Sequence, residues 1–303
     1  MVEAFDRVVR GERSMKISII GSGVVGKTVG FGFEKLGHEI VFYDIDENVV
    51  KELSREHRAT NDLNAIRDTD VSFVCVPTPY NKGFDSSYII SAIEGIAKTL
   101  KLKSKDEYHL VVVKSTVLPT ITERVVIPII KRYKRVGEDV GVCVNPEFLT
   151  EIANTWTDDK NYKRDFFTED RIVIGEYDKK SGDILEGIYK PLNKPIFRTD
   201  LKTAEMIKYA SNCMLATKIS YWNEISLICN EVGVNSQTVA DIVSIDPRIG
   251  KYGTVHGKAL GGKCLPKDLK SFISFAEKYR VIKLLKAVDD INEEMREKYG
   301  VRE

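Results

Sequence analysis

The chain reads as an α/β protein, with a doubly wound, mainly parallel sheet first and then an all-α domain built on one long helix. Three observations predict this. Residues 15–20 are a short apolar run that enters Gly21-Ser-Gly23-Val-Val-Gly26 and then a helical pattern to Leu36. Residues 39–44 are a second apolar run that ends on an acid, Asp44. From Thr199-Asp200 an amphipathic pattern without Gly or Pro continues to Val232 and stops at Gly233, about 45 Å of helix.

Composition sets the frame. At 303 residues there is room for two hydrophobic cores. The 46 basic and 45 acidic residues leave a net charge of +1, which predicts no nucleic-acid footprint and no polybasic membrane patch. No apolar run approaches the ~20 residues that span a bilayer. The first 14 residues are charged, do not form a signal peptide, and read as an N-terminal extension. The five cysteines, at 75, 143, 213, 229 and 264, include no CxxC. We therefore expect a reducing, cytoplasmic setting without disulfides, and the four scattered histidines predict no metal site.

The first half, 15–198, has the strand–GxGxxG–helix–strand–Asp order of a Rossmann domain. Gly21 makes the tight turn, Gly23 lets main chain approach a pyrophosphate, and Gly26 lets helix pack on strand. Val24 and Val25 complete the helix start that faces the phosphates. Asp44 would accept hydrogen bonds from an adenosine ribose and repel a 2′-phosphate, so NAD is expected rather than NADP. Gly21–Thr28 also spells the P-loop pattern G-x-x-x-x-G-K-T. A P-loop enzyme needs a second strand ending in Asp to hold magnesium. Here the runs 71–76 and 110–113 end in Pro77 and Lys114, so Lys27 and Thr28 read as ordinary helix residues.

Ligands sit at the carboxyl ends of strands in such sheets. Pro77, Thr78, Ser115 and Thr116 follow two of these runs and are expected to border the nicotinamide. Ser115-Thr116 also reads as a cap for a helix over 122–133. A further strand, 141–144, leads into Asn145-Pro-Glu147-Phe148-Leu149-Thr-Glu151. On a helical turn its two glutamates would face one way, either as a site or as a solvated face. Residues 171–175 read as another strand, and 154–170 as a loop.

In the second half, Lys208 and Asn212 lie one turn apart on the long helix, where a lysine among apolar neighbours needs a partner or a task. Such a helix often packs between subunits. A shorter helix is expected near 236–245, then a glycine-rich loop containing Arg248. It ends at Gly261-Gly-Lys-Cys264-Leu-Pro266-Lys-Asp268, followed by helices over 267–279 and 282–298. Alone, that string is a capped helix start with a buried cysteine, or a thiolate held at a helix N-terminus between Lys263 and Lys267. Asp268, four residues after Cys264, would share its face.

Together the strings GSGVVG, VPTP, KST, NPEFLTE, RIVIG, AEMIKYASN, DPRIG and GGKCLPKD, in this order, resemble the UDP-glucose/GDP-mannose dehydrogenase family. The resemblance implies oxidation of a sugar C6 alcohol to a carboxylate with two NAD, UDP-glucose to UDP-glucuronate first among the substrates. Cys264 would be the nucleophile. Lys208 and Asn212 would stabilise oxyanions, Asp268 would orient Lys208 or activate water, and Thr116 would position that water. Glu147 and Glu151 would bind substrate or act as base, with Phe148, Leu149 and Gly261 lining the substrate. Arg248 would reach a neighbouring subunit's substrate, and the long helix over 200–232 would form a homodimer core.

Relatives in that family continue into a sugar-nucleotide-binding domain that is expected to be absent after Glu303. They also have a longer segment than 52–66 and an aromatic-glycine pattern in place of His256–Gly262. Two other functions fit parts of the chain. A β-hydroxyacid or 6-phosphogluconate-type dehydrogenase shares the Rossmann domain and a Lys-x-x-x-Asn helix but needs no cysteine. A non-catalytic NAD-binding relative would need neither.

Overall fold

A computed structural model describes residues 14–104, 107–150, 156–159, 162, 164–262 and 264–302. The extension up to residue 13, Glu151 and Lys263 lie outside the described residues. The chain divides into two compact units. The first takes the residues up to Pro79 together with Asp85–Leu149 and Arg164–Met206. The second takes Tyr80–Phe84, Thr150–Lys163 and Ile207–Glu303.

The first unit is built on eight strands: β1 Lys16–Ile20, β2 Glu39–Tyr43, β3 Ala59–Thr60, β4 Val71–Val74, β5 His109–Val113, β6 Val140–Val144, β7 Ile172–Glu176 and β8 Ile196–Asp200. Their spatial order is β3-β2-β1-β4-β5-β6-β7-β8. The first six are mutually parallel, in the 3-2-1-4-5-6 order of a Rossmann sheet. β4, β5 and β6 are buried along their whole length, which is why they read as unbroken apolar runs rather than alternating ones. β7 turns antiparallel to β6 and pairs only at Cys143–Glu176 and Val144–Gly175, while β8 runs parallel to β7.

The helices of this unit are α1 Val24–Lys35, α2 Glu47–Leu53, α3 Ser87–Lys101, α4 Ile127–Lys131, α5 Lys179–Tyr189 and the first turns of α6 Leu201–Glu231. The core joins Ile17, Ile19, Phe33, Phe42, Phe73 and Leu110 to Phe166, Ile184 and Tyr189. Phe33 meets Phe73, Phe166 and Tyr189 with ring centroids 4.9, 5.1 and 5.2 Å away. These aromatics place the segment around Phe166, read from the sequence only as loop, firmly in the core.

The helix expected over 122–133 has a different start. Thr122–Val126 is a wider turn with π-type bonding, and α4 follows it. Pro128 has no N–H to continue the ordinary ladder. Nor do Ser115 and Thr116 cap it. The donors at Thr120 and Thr122 point instead to the Glu205 carboxylate in α6, at 2.6 and 2.9 Å. Glu205 is 1% exposed, and burial pushes its carboxyl up to about 7.

The second unit holds the rest of α6, with α7 Ser236–Val243, α8 Leu265–Ala276 and α9 Leu284–Tyr299. Its core is Trp156, Cys213, Ala216, Ile219, Leu260, Leu269, Ile273 and Val288. Asp200 caps α6 by accepting from Thr203 N at 3.0 Å, and Asn235 caps α7 through Thr238 N. α8 begins two residues before its expected start, because Pro266 fits the first turn, where no N–H is needed. Among the described residues, no helix is long and apolar enough to cross a membrane.

Candidate active site

In the first unit the expected cofactor residues converge at the carboxyl ends of β1, β2, β4 and β5. Gly21 has φ +91, and its N–H donates to Tyr43 O at 2.9 Å. A Cβ there would stand 2.9 Å from Cys75 O, so the turn is possible only with glycine. At Gly26 a Cβ would stand 2.1 Å from Gly21 O. Gly23, in contrast, faces open space and starts α1 with no side chain capping it. The first N–H groups of α1 therefore remain for a ligand's phosphates. Val24 beside them is 61% exposed, while Val25 packs on the core.

Asp44 is fixed by the same turn. Its Oδ2 accepts from Ser22 N at 2.7 Å and its Oδ1 from Asp46 N at 3.0 Å. Lys27 donates instead to Glu52 at 2.8 Å and Thr28 to Val24 O, which agrees with their reading as helix residues rather than a P-loop pair. Ser115 Oγ donates to Val76 O at 2.7 Å, tying the loop after β5 to the loop after β4. Thr116 is half-buried, Pro77 exposed and Thr78 buried. An open, glycine-shaped helix start with an anchored acid at the end of β2 fits a dinucleotide.

After β6 the chain does not make the expected helical turn: residues 145–150 have no helical hydrogen bonding. Glu147 is buried, and its Oε2 accepts from Leu149 N at 2.7 Å, a bond that an extended turn allows and a helix would not. Phe148 N donates to Glu169 Oε1 at 2.9 Å, and the Arg171 guanidinium lies 4.1 Å over the Phe148 ring. Both Phe148 and Leu149 are half-buried.

A buried lysine absent from the expected site belongs to this corner. Lys114 is 3% exposed, and its Nζ donates to Asn145 Oδ1 at 2.9 Å, an atom that also accepts from Tyr189 OH at 2.6 Å. Burial pushes the Cys75 thiol up to about 12; Lys114 opposes that rise and Glu147 adds to it. An apolar strand that ends on a lysine was the available signal.

In the second unit the structure brings α6 and α8 together through polar side chains. Lys208 and Asn212 are 4% and 6% exposed. Asn212 Nδ2 donates to Asp268 Oδ2 at 2.6 Å, and Lys267 Nζ reaches Asp268 Oδ1 at 2.5 Å. Asp268 is 1% exposed, whereas Cys264, the N-cap residue of α8, is exposed. The two therefore differ in environment, although they are one turn apart and joined by Asp268 N donating to Cys264 O at 2.9 Å. Arg248 projects from the loop after α7 and pairs with Asp246 at 2.5 Å. Gly261 has a steric reason to be glycine, because a Cβ would stand 1.4 Å from Arg302 O.

The NAD-binding-domain description of the UDP-glucose/GDP-mannose dehydrogenase family matches residues 15–59 and 53–193, and the central-domain description of that family matches 202–294. The chain belongs to this family. It carries the family's NAD-binding Rossmann domain, and NAD is its cofactor. The UDP-glucose 6-dehydrogenase AglM of Haloferax volcanii is 38% identical over 310 residues, spanning 92% of this chain and 70% of that protein. A GDP-mannose 6-dehydrogenase of Pseudomonas syringae pv. tomato is 38% identical over 285 residues, spanning 85% of this chain and 63% of that protein. A solved UDP-glucose dehydrogenase from Pyrobaculum islandicum aligns at TM-score 0.86 and 33% identity, covering 95% of this chain and 70% of that one. The chain thus spans roughly two thirds of these relatives' length.

Proposed function

We propose that this chain forms the cofactor-binding and nucleophile-bearing parts of a nucleotide-sugar 6-dehydrogenase, oxidising the C6 alcohol of a UDP-sugar, UDP-glucose first, to the carboxylate. One observation carries the reading: an exposed cysteine starts α8, while a lysine, an amide and a carboxylate are buried along α6 and α8. Burying Lys208, Asn212 and Asp268 costs several kcal/mol unless they are paired, and an apolar set would pack the two helices at less cost. Their presence on two helices, one of which starts at the cysteine, favours chemistry over packing.

In this reading the Cys264 thiol, its thiolate favoured at the α8 N-terminus, adds to the aldehyde at C6. The alkoxide that develops is stabilised by Lys208 and Asn212. Asp268 holds the Asn212 amide at 2.6 Å and so fixes the direction of its remaining N–H. NAD, when bound, accepts a hydride in each of the two oxidations. The resulting thioester on Cys264 is opened by water, which regenerates the thiol. Thr116, Glu147 and Glu151 are assigned to positioning and deprotonating that water, and Phe148, Leu149, Arg248 and Gly261 to the substrate. The start of α1, with Gly21, Gly23 and Gly26, holds the pyrophosphate, Asp44 the adenosine ribose, and Pro77, Thr78 and Ser115 border the nicotinamide.

Homodimerisation is assigned to α6. Met214, Tyr221 and Ile228 are 59%, 50% and 54% exposed and lie seven residues apart, which makes one apolar stripe. Sedimentation of Tyr221→Glu should give monomer where the unaltered chain gives dimer.

The deciding experiment offers UDP-glucose, GDP-mannose and UDP-N-acetylmannosamine and counts NADH formed per sugar consumed. Two NADH per UDP-glucose, with acid formation reduced at least ~10³-fold in Cys264→Ala, supports the reading. One NADH per sugar, or undiminished acid formation by Cys264→Ala, overturns it.

A further inference from the structure

The loop that leads to Cys264 has no repeating structure of its own, yet its main chain is held at nearly every residue. Gly257 N donates to Asn223 Oδ1 at 2.8 Å, and Asn223 Nδ2 donates to Lys258 O at 2.9 Å. Leu260 N donates to Asn292 Oδ1 at 2.6 Å. Ala259 N donates to Gly300 O at 3.0 Å, and Ala259 O accepts from Arg302 N at 3.2 Å. His256 O accepts from Arg302 Nη2 at 2.8 Å. The grip comes from three directions: Asn223 on α6, Asn292 on α9, and the strand-like segment after α9.

Asn223 and Asn292 are both fully buried. A buried amide costs free energy unless its bonds are made, so these two side chains contribute shape rather than hydrophobic stability. At Asn292 only the carbonyl half is used, since Nδ2 has no hydrogen-bond partner among the described residues. The held stretch ends at Leu260. Gly261 is closed in by Arg302 O, Gly262 holds the glycine-favoured φ of +74, and only one further residue precedes Cys264. A displacement of Leu260 therefore passes to the cysteine through very little chain.

We propose that Asn223 and Asn292 are positioning residues for Cys264, holding the main chain of 257–260 so that the thiol stays at the N-terminus of α8. This rests on the reading of Cys264 as nucleophile, but it can be tested apart from that reading. The probe is iodoacetamide, with alkylation of the Cys264 peptide followed by mass spectrometry from pH 6 to 10, beside NADH formation and thermal midpoint. Asn292→Leu removes the acceptor. Its alkylation midpoint should rise by about half a pH unit or more as the thiol drifts from the helix end, and acid formation should fall at least about tenfold. Asn292→Asp keeps the acceptor and should recover acid formation to within about threefold.

Asn223→Asp keeps the acceptor for Gly257 N but opposes Lys258 O, and it should shift the midpoint in the same direction. It serves as the second variant if Asn292→Leu does not fold. An alkylation midpoint unchanged from the unaltered protein in the folded variants, whatever their thermal midpoints, overturns the proposal. Full acid formation by Cys264→Ala would instead overturn the nucleophile reading and leave the alkylation comparison to judge the positioning.

Discussion

The two units prepare for chemistry by different means. In the first, the groups proposed to hold the pyrophosphate belong to the main chain: the start of α1, opened by glycines, beside a turn locked by Asp44. In the second, the proposed groups are side chains whose polar ends are sunk between helices, as with Asn212 and Asp268. A main-chain site depends on which positions lack a Cβ, and a side-chain site depends on partners far away in sequence. The first is expected to be more sensitive to added volume than to lost charge. The second has the opposite sensitivity.

Substitutions that keep volume and remove polarity should separate them most sharply. Asp268→Asn leaves Asn212 facing a second amide and Lys267 without its carboxylate. Acid formation should drop about 10²–10³-fold, with NAD affinity by calorimetry unaltered. An equal loss of NAD binding would mean that the distinction between the units is false.

Glu205 gives the next largest effect, and its sign is defined. Its carboxyl lies at about 7 in the folded chain, raised from an ordinary value near 4.5. The folded protein therefore holds this proton more tightly than the unfolded chain. The stabilisation that follows is complete below pH 4.5 and is lost as pH rises through 7. Compared with Glu205→Gln, the unaltered chain should lose about 3 kcal/mol of relative stability between pH 4 and pH 8 in urea titrations. A constant difference across that range would show that the Thr120 and Thr122 donors hold the carboxylate ionised throughout.

Gly26→Ala tests volume in the sheet unit. The added methyl meets Gly21 O and should cost about 1–3 kcal/mol and weaken NAD binding, with Cys264 alkylation unchanged. The smallest effect is expected at Asp44→Asn, which keeps a carbonyl acceptor for the turn. NAD affinity should fall about tenfold, and the preference against NADP should relax, as read by parallel titrations of the two.

The same contrast explains what could be read from sequence. The GxGxxG turn and the acid after β2 were legible because each residue's reason is local: a positive φ, a close approach, a strand end. Cys264, Lys208 and Asn212 were legible through the family strings and through the oddity of a lysine on an apolar face. β8 was not, because Ile-Phe-Arg-Thr-Asp lies at the sheet edge and carries no apolar run or clean alternation. Lys114 shows in the sequence only as a lysine that closes an apolar run, since only the fold places Asn145 and Tyr189 around it. A spacing of four between Glu147 and Glu151 suggests a helical turn. The structure instead satisfies Leu149 N with the Glu147 carboxylate, a competition that spacing alone does not reveal.

The Glu205 carboxylate also bears on the order in which the chain folds. The turn at Thr120–Thr122 is capped by a group 83 to 85 residues further along. Thr120 carries φ +81, a conformation that a β-branched residue does not favour alone. Until α6 arrives, that turn has neither its cap nor a reason to stay bent, and closing so long a loop is slow. The segment into α4 should therefore acquire protection from hydrogen exchange late in refolding, after β1, β4 and β5 have paired, and its maturation should coincide with the docking of the first turns of α6.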